Sequence, residues 1–408
     1  MQPLMFAGNL PFWYETYRVL GHASYGGADI GEVLTTAGRI TADDYESWYA
    51  EWAVTARRVE REARAQLAGG HRVSARDGLF RAATYYRSAE FFLRDGTDDP
   101  RIPEVYERGV ACFRDAIAQM QPRIEPVQIP FEGAVLYGYL YHAGADADGG
   151  PRPTLLMHNG YDGWAEEMHY QGGAYAAQER GYTVLVFDGP GQPGPRIREN
   201  LVFRPDWETV VSAVIDFALT CPEVDAGRIA LFGNSFGGLL APRAAAFEDR
   251  VAALIAIDGV YDVGRTFRQG GGLAEDEMDR AYADTDRELD ARLAKVMDAD
   301  PQARWAMRQG MWAFGVDSPR KLIAAAQSYH LRDGIAERIT CPVLVGRAED
   351  DQFFAGQPDD LMAHLTGATA TLLPFTDTEG AGAHCQVGAQ RLLAARVLDW
   401  LDDTFAAD

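Results

Sequence analysis

Apolar residues recur at intervals of three and four from Thr41 to about Met120, the spacing of amphipathic helices. Trp48, Trp52, Val54 and Val59 mark the inner face of a first helix, which Thr41-Ala-Asp-Asp44 opens in the manner of a capping box, with Asp where Glu or Gln is usual. Gly69-Gly70 ends it. Two more helices are expected over residues 74–93 and 103–120, parted by the turn-rich Asp95-Gly-Thr-Asp-Asp-Pro100. A small bundle of this kind buries aromatic rings, so Tyr85, Tyr86, Phe91 and Phe92 are assigned to packing rather than to a ligand pocket.

The period shortens after Pro126. Val127-Gln-Ile-Pro-Phe131 and Val135-Leu-Tyr-Gly-Tyr-Leu-Tyr141 predict a hairpin, followed by a loop of small and acidic residues over 144–153. Short apolar runs then appear at 154–157, 183–187, 228–232, 251–257, 342–345 and 368–375, with helical stretches expected at 164–179, 207–219 and 239–247. Uninterrupted apolar strands alternating with helices predict an α/β protein whose mostly parallel sheet is covered on both faces. Such sheets carry their chemistry at the carboxyl ends of the strands. A helical segment from Tyr261 to about Arg338 is too long for a simple crossover and is expected to help cover the site. The predicted organisation is a helical lid over residues 1–124 and a catalytic domain over 125–408, with the insertion at about 261–338.

At one strand end the chemistry becomes specific. Gly233-Asn-Ser-Phe-Gly237 follows the apolar run ending at Phe232 and precedes a helix, the context in which GxSxG lifts a serine onto a strained strand-to-helix turn. Ser235 is the candidate nucleophile. His22-Ala-Ser-Tyr-Gly26 looks similar but lacks the first glycine and a leading strand, so a turn or lid contact is expected there. The base should come from a loop after the last strand. His384, in Glu379-Gly-Ala-Gly-Ala-His384, has that position, whereas His330 falls in the insertion and His364 in a helical stretch. Gly346-Arg-Ala-Glu-Asp-Asp-Gln-Phe-Phe354 follows the preceding strand and supplies the acid. Asp351 is favoured, Asp350 is the alternative, and Glu349 ranks below both. Oxyanion donors are expected from the Phe236 amide and from His158-Asn-Gly-Tyr-Asp-Gly163, through Tyr161 or Gly160, with His158 propping the loop.

Composition changes this picture little. With 47% hydrophobic and 24% charged residues, the 408-residue chain is ordinary for a globular protein, which excludes disorder and fibrous architectures. A net charge of -22 repels phosphate backbones and anionic headgroups, so neither nucleic acid nor a membrane surface is expected as partner. A small neutral or cationic molecule suits it better. Cys112, Cys221, Cys341 and Cys385 form no CxxC pair, which argues against a zinc site or disulfide framework, and Cys385 is assigned to packing. No cofactor and no metal is required. The first basic residue is Arg18 and no run of about 18 apolar residues occurs, so a cytoplasmic protein is expected.

His158-Asn-Gly-Tyr-Asp-Gly163, Asp188-Gly-Pro-Gly-Gln192, Gly233-Asn-Ser-Phe-Gly237, Ala348-Glu-Asp-Asp351 and Gly382-Ala-His-Cys-Gln386 together resemble one group of α/β-hydrolases. It contains 2,6-dihydroxypseudooxynicotine hydrolase, the fungal hydrolases that shorten polyketide pigment precursors, and FrsA-like esterases. Tyr25-Gly-Gly-Ala-Asp-Ile-Gly-Glu-Val33 is similar to that group's helical lid, so the resemblance spans nearly the whole chain. Pro193 departs from the Gly that many hydrolases carry after PGQ. The resemblance implies an α/β-hydrolase fold with an N-terminal helical lid, and a homodimer. Because two members cleave a carbon–carbon bond beside a ketone, it also implies such a reaction on an aromatic or polyketide-like small molecule in secondary metabolism or catabolism. Ester or amide hydrolysis, or acyl transfer giving cyclisation, is the alternative on the same fold.

Overall fold

The computed structural model describes residues 3–96, 98–144 and 150–406; residues 145–149 of the expected acidic loop and residue 97 of the expected turn lie outside them. Five helices come first: α1 (Leu10–His22), α2 (Ile30–Ala37), α3 (Tyr45–Ala68), α4 (Arg72–Phe91) and α5 (Arg101–Ile117). The start of α3 differs from expectation. Its cap is Asp44, whose carboxylate accepts the Ser47 amide, while Thr41 lies outside the helix. Val54, two residues past the buried Trp52, is carried round to the outer face and is 57% exposed.

Eight strands follow, β1 (Ile124–Phe131), β2 (Ala134–Tyr141), β3 (Arg152–His158), β4 (Thr183–Asp188), β5 (Val224–Asn234), β6 (Ala253–Ile257), β7 (Val343–Ala348) and β8 (Ala370–Phe375). They form one sheet in the order β1-β2-β4-β3-β5-β6-β7-β8, antiparallel at β1–β2–β4 and parallel elsewhere. The two-residue period of the strands divides the core. Leu155, Met157, Ala230 and Phe232 join a cluster with Trp48, Trp52 and Phe113 of the first helices. Leu156, Ile229 and Leu231 point the other way, toward Trp207 and Leu240.

The connecting helices are α6 (Ala174–Glu179), α7 (Pro193–Glu199), α8 (Trp207–Ala218) and α9 (Gly237–Ala245). The helix expected over 164–179 is broken: a 3-10 turn, Ala165–His169, is separated from α6 by Gly172 and Gly173 at φ 81° and 87°. Pro193, the departure noted in the sequence, begins α7, where its missing N–H is no loss. The insertion holds α10 (Val263–Gly270), α11 (Met278–Tyr282), α12 (Arg287–Ala299), α13 (Pro301–Phe314) and α14 (Pro319–Ala326); α15 (Gln357–His364) and α16 (Gln390–Ala406) complete the fold. Among the described residues no helix is long and apolar enough to cross a membrane.

Candidate active site

Four loops leave the carboxyl ends of β5, β6, β7 and β8 and meet around one imidazole. Ser235 begins the first. Its φ of 62° is costly for a residue with a side chain, by roughly 1–3 kcal/mol, and the surroundings hold it there. The Ser235 amide donates to the Ile257 carbonyl, and its own carbonyl accepts the Gly238 amide at 2.7 Å. A Cβ at Gly233 would collide with the Gly237 carbonyl, so the turn closes only with hydrogen at that position.

His384 Nε2 lies 2.9 Å from Ser235 Oγ, and His384 Nδ1 lies 2.9 Å from Asp351 Oδ2. The other Asp351 oxygen accepts the Phe353 and Phe354 amides at 2.7 and 2.9 Å, which fixes the carboxylate's orientation. Asp350 and Glu349 are exposed, and Asp350 instead joins its backbone amide to the Gly382 carbonyl at 2.8 Å. Burial, the largest single influence, would lower the His384 pKa, but the Asp351 carboxylate, joined by smaller contributions from neighbours that include Asp258, more than offsets it and holds the imidazole well above the ordinary value. His330 and His364 line no part of this site; His364 pairs with Glu337 at 2.8 Å.

A residue not anticipated from the sequence completes the group. Asp258, fully buried just past β6, places Oδ2 3.1 Å from His384 Nδ1 and accepts the Cys385 amide at 2.8 Å. Its Oδ1 accepts Gln386 Nε2 at 2.7 Å. Burial pushes the Asp258 carboxyl upward, whereas the imidazolium holds Asp351 below its usual range, so the two acids facing one ring are driven apart. The only signal was an acidic residue directly after a buried strand, which many surface loops share. Asp258, His384 and Cys385 also have the spacing of a metal site, but both Asp258 oxygens and both imidazole nitrogens already have partners. Burial raises the Cys385 thiol pKa, which disfavours a thiolate ligand.

Opposite the serine, the loop after β3 approaches the elbow closely. A Cβ on Gly160 would stand 2.6 Å from the Phe236 nitrogen and 2.8 Å from Ser235 Cβ, so its absence keeps the space before that amide open. The Gly160 amide is itself committed to Asn159 Oδ1 at 3.0 Å, which favours Tyr161 over Gly160 as the second candidate donor. His158 contacts the Asn159 carbonyl through Nδ1 at 2.9 Å; burial lowers its pKa to about 4, so it stays neutral and donates. Gln192 Nε2 donates to the same carbonyl at 2.5 Å. From the insertion, Gln309 Nε2 donates to the Tyr161 carbonyl at 2.8 Å, and the Tyr161 hydroxyl donates to the Ala306 carbonyl at 2.7 Å.

These loops open on a cavity of about 210 Å³ whose walls are mainly apolar, including Tyr14, Phe91, Phe267, Trp305 and Phe354. Tyr85 and Tyr86 pack in the core as expected, but Phe91 and Phe92 also reach this wall. Helix α1 forms another side, and the Tyr14 hydroxyl donates to the His384 carbonyl at 3.1 Å. Beside it lies a buried ionic cluster. Arg18 reaches Asp162 at 2.8 Å and Glu167 at 3.0 Å; Arg87 reaches Glu15 at 2.5 Å, Glu167 at 2.9 Å and Asp162 at 3.3 Å. The His22-Ala-Ser-Tyr-Gly26 segment is a 3-10 turn after α1, with Ser24 Oγ donating to the Gly21 carbonyl.

A family model described as alpha/beta hydrolase fold matches residues 153–355. The chain is 34% identical over 415 residues to hydrolase LUC6 of Fusarium sp, covering 97% of this chain and 96% of that protein. It is 34% identical over 416 residues to 20-hydroxy-prefusarin hydrolase FUS2 of Gibberella moniliformis, with coverage of 97% and 96%. Among solved structures, the 2,6-dihydroxy-pseudo-oxynicotine hydrolase superposes with a TM-score of 0.73 at 22% identity, over 95% of this chain and 96% of that one.

Proposed function

The chain belongs to the α/β-hydrolase family, and from that premise we propose that it is a serine hydrolase with Ser235 as nucleophile, His384 as base and Asp351 as the acid that orients it. One observation carries the reading: a single imidazole stands 2.9 Å from both the Ser235 hydroxyl and the Asp351 carboxylate, on the wall of an apolar cavity. His384 accepts the hydroxyl proton as Ser235 Oγ attacks a carbonyl carbon; the Phe236 and Tyr161 amides stabilise the oxyanion, each donor worth about 3 kcal/mol.

The favoured substrate is a ketone in an aromatic or polyketide-like small molecule, cleaved at the adjacent carbon–carbon bond. Collapse of the tetrahedral intermediate breaks that bond, its electron pair leaves on the departing carbon, and His384 returns the proton there. Water activated by His384 then hydrolyses the acyl-serine. A delocalising ring or second carbonyl on the leaving side makes this departure feasible. The motif resemblance supports this choice, as does the 34% identity to the 20-hydroxy-prefusarin hydrolase of Gibberella moniliformis. An ester or amide would use the same groups without needing a stabilised carbanion, and an internal nucleophile in place of water would yield a cyclised product. The helices before β1 and the insertion serve as the lid, and a homodimer is the expected assembly.

Ser235→Ala is the test. Aryl 1,3-diketones and nitrophenyl esters, followed by mass spectrometry, should show turnover falling by about a millionfold. Substantial turnover in the variant would refute the nucleophile assignment; a product gaining no water would favour cyclisation.

A further inference from the structure

Asp162 presents a carboxylate to a mainly apolar cavity. Its side chain is 21% exposed although it lies deep in the molecule, because it opens onto the cavity that Ser235 also lines. Among the described residues, hydrogen bonds reach one of its two oxygens. Oδ1 accepts Arg18 Nη1 at 2.8 Å and Arg87 Nη2 at 3.3 Å, and no hydrogen bond from the described residues reaches Oδ2. The two guanidiniums outweigh the effect of burial and hold the group below the usual carboxylate range, so it is present as an acceptor.

Gln171 supplies a second, independent observation. It is 2% exposed and lines the same cavity, and its Oε1, buried beside the His22 imidazole, has no well-formed hydrogen bond among the described residues. A buried polar atom of this kind costs free energy until something donates to it. The side chains at this end of the cavity therefore offer two acceptors against largely apolar walls.

We propose that Asp162 Oδ2, assisted by Gln171 Oε1, is a substrate subsite for a neutral hydrogen-bond donor, a hydroxyl or an N–H, on an otherwise apolar molecule. The inference rests on the cavity being the substrate site of the proposed hydrolase. Charge decides in favour of a neutral donor. Arg18 and Arg87 offset two of the three carboxylates Glu15, Asp162 and Glu167, and burial moves Glu15 toward its neutral form, leaving little net charge to hold an ammonium. Selectivity arises because an analogue lacking the donor leaves a buried acceptor unpaired.

Binding to Ser235→Ala protein, measured by calorimetry, tests this without turnover. The probes are 1-aryl-1,3-butanediones bearing a ring hydroxyl at the 2-, 3- or 4-position, each against its methyl ether and its aminomethyl analogue. At least one hydroxyl probe should bind roughly 10- to 100-fold tighter than its ether, as expected for a hydrogen bond to a charged group. Adding Asp162→Asn should collapse that ratio to within about threefold, whatever the variant's overall affinity. Ratios near one for all three pairs in the Ser235→Ala protein would overturn the proposal, as would tighter binding of the ammonium probes. Turnover by Ser235→Ala would instead refute the nucleophile assignment and leave the binding ratio interpretable.

Discussion

Gln309→Leu should damage turnover from a position that never touches the cavity. Gln309 is fully buried on α13; its Nε2 donates to the Tyr161 carbonyl at 2.8 Å and its Oε1 accepts Arg94 Nη1 at 3.1 Å. Leucine is close in volume and removes both bonds. Arg94 keeps its pairing to Glu90 at 2.5 and 3.0 Å, so no bare charge is created. What remains is one unsatisfied carbonyl and one unsatisfied N–H, each costing about 1–3 kcal/mol, or together about 2–6 kcal/mol of stability. The catalytic effect is separate. Tyr161 keeps its hydroxyl bond to Ala306, but the Tyr161–Asp162 peptide loses its anchor, which loosens the backbone on the far side of the residue whose amide faces the elbow. Complete loss of an oxyanion donor is worth about 3 kcal/mol, so partial loss should lower kcat by roughly 10- to 100-fold, with KM little changed. Steady-state kinetics on a nitrophenyl ester, together with thermal unfolding, reads both quantities. A variant with reduced stability and full kcat would refute the coupling of the insertion to the loop after β3, and so would a loss confined to KM.

Other outcomes follow from the same geometry. Gly160→Ala places a methyl group 2.6 Å from the Phe236 nitrogen; kcat should fall by about 100-fold or more while the Ser235 hydroxyl still labels with a fluorophosphonate, and unchanged kcat would refute the role of that amide. Because Asp351 holds His384 protonated to higher pH and Ser235 attack needs the neutral ring, kcat/KM should rise with pH on an acid limb lying above the usual histidine value of about 6.5. Asp258→Asn removes a second acid from Nδ1, so that limb should move to lower pH; an unmoved limb would make Asp258 a purely structural support for Cys385 and Gln386. Arg87→Met should destabilise the protein by about 3–5 kcal/mol, since it leaves buried carboxylates uncompensated; chemical denaturation measures it.

The parts of the fold legible in the sequence were those whose signal is local and repeated. The β5 and β6 runs are apolar because both sheet faces are covered, and the elbow announces itself through glycines that tolerate no Cβ. Order along the chain selects His384 and the apolar pair Phe353-Phe354 favours Asp351 over Asp350; which of the two carboxylates turns inward to the imidazole is seen only in the structure. Other features depend on long-range partners. Asp258 meets His384 from 126 positions away along the chain, and nothing near either one records the meeting. The helix expected over 164–179 had helical spacing throughout, but two adjacent left-handed glycines divide it where Met168 and Ala394 pack tightly against them. Phe91 and Phe92 have the composition of core residues, and only the docking of α13 gives them a second face on the cavity.

The bond from Tyr14 to the His384 carbonyl joins positions 370 apart. During synthesis Ser235 leaves the ribosome about 150 residues before His384, so a nascent chain can shape its elbow well before the imidazole that meets it exists. Helix α1 waits longer, since the loop it fastens is made some 370 residues after it. Such distant closures are slow to form, and they make reactivity a property that arrives late and all at once.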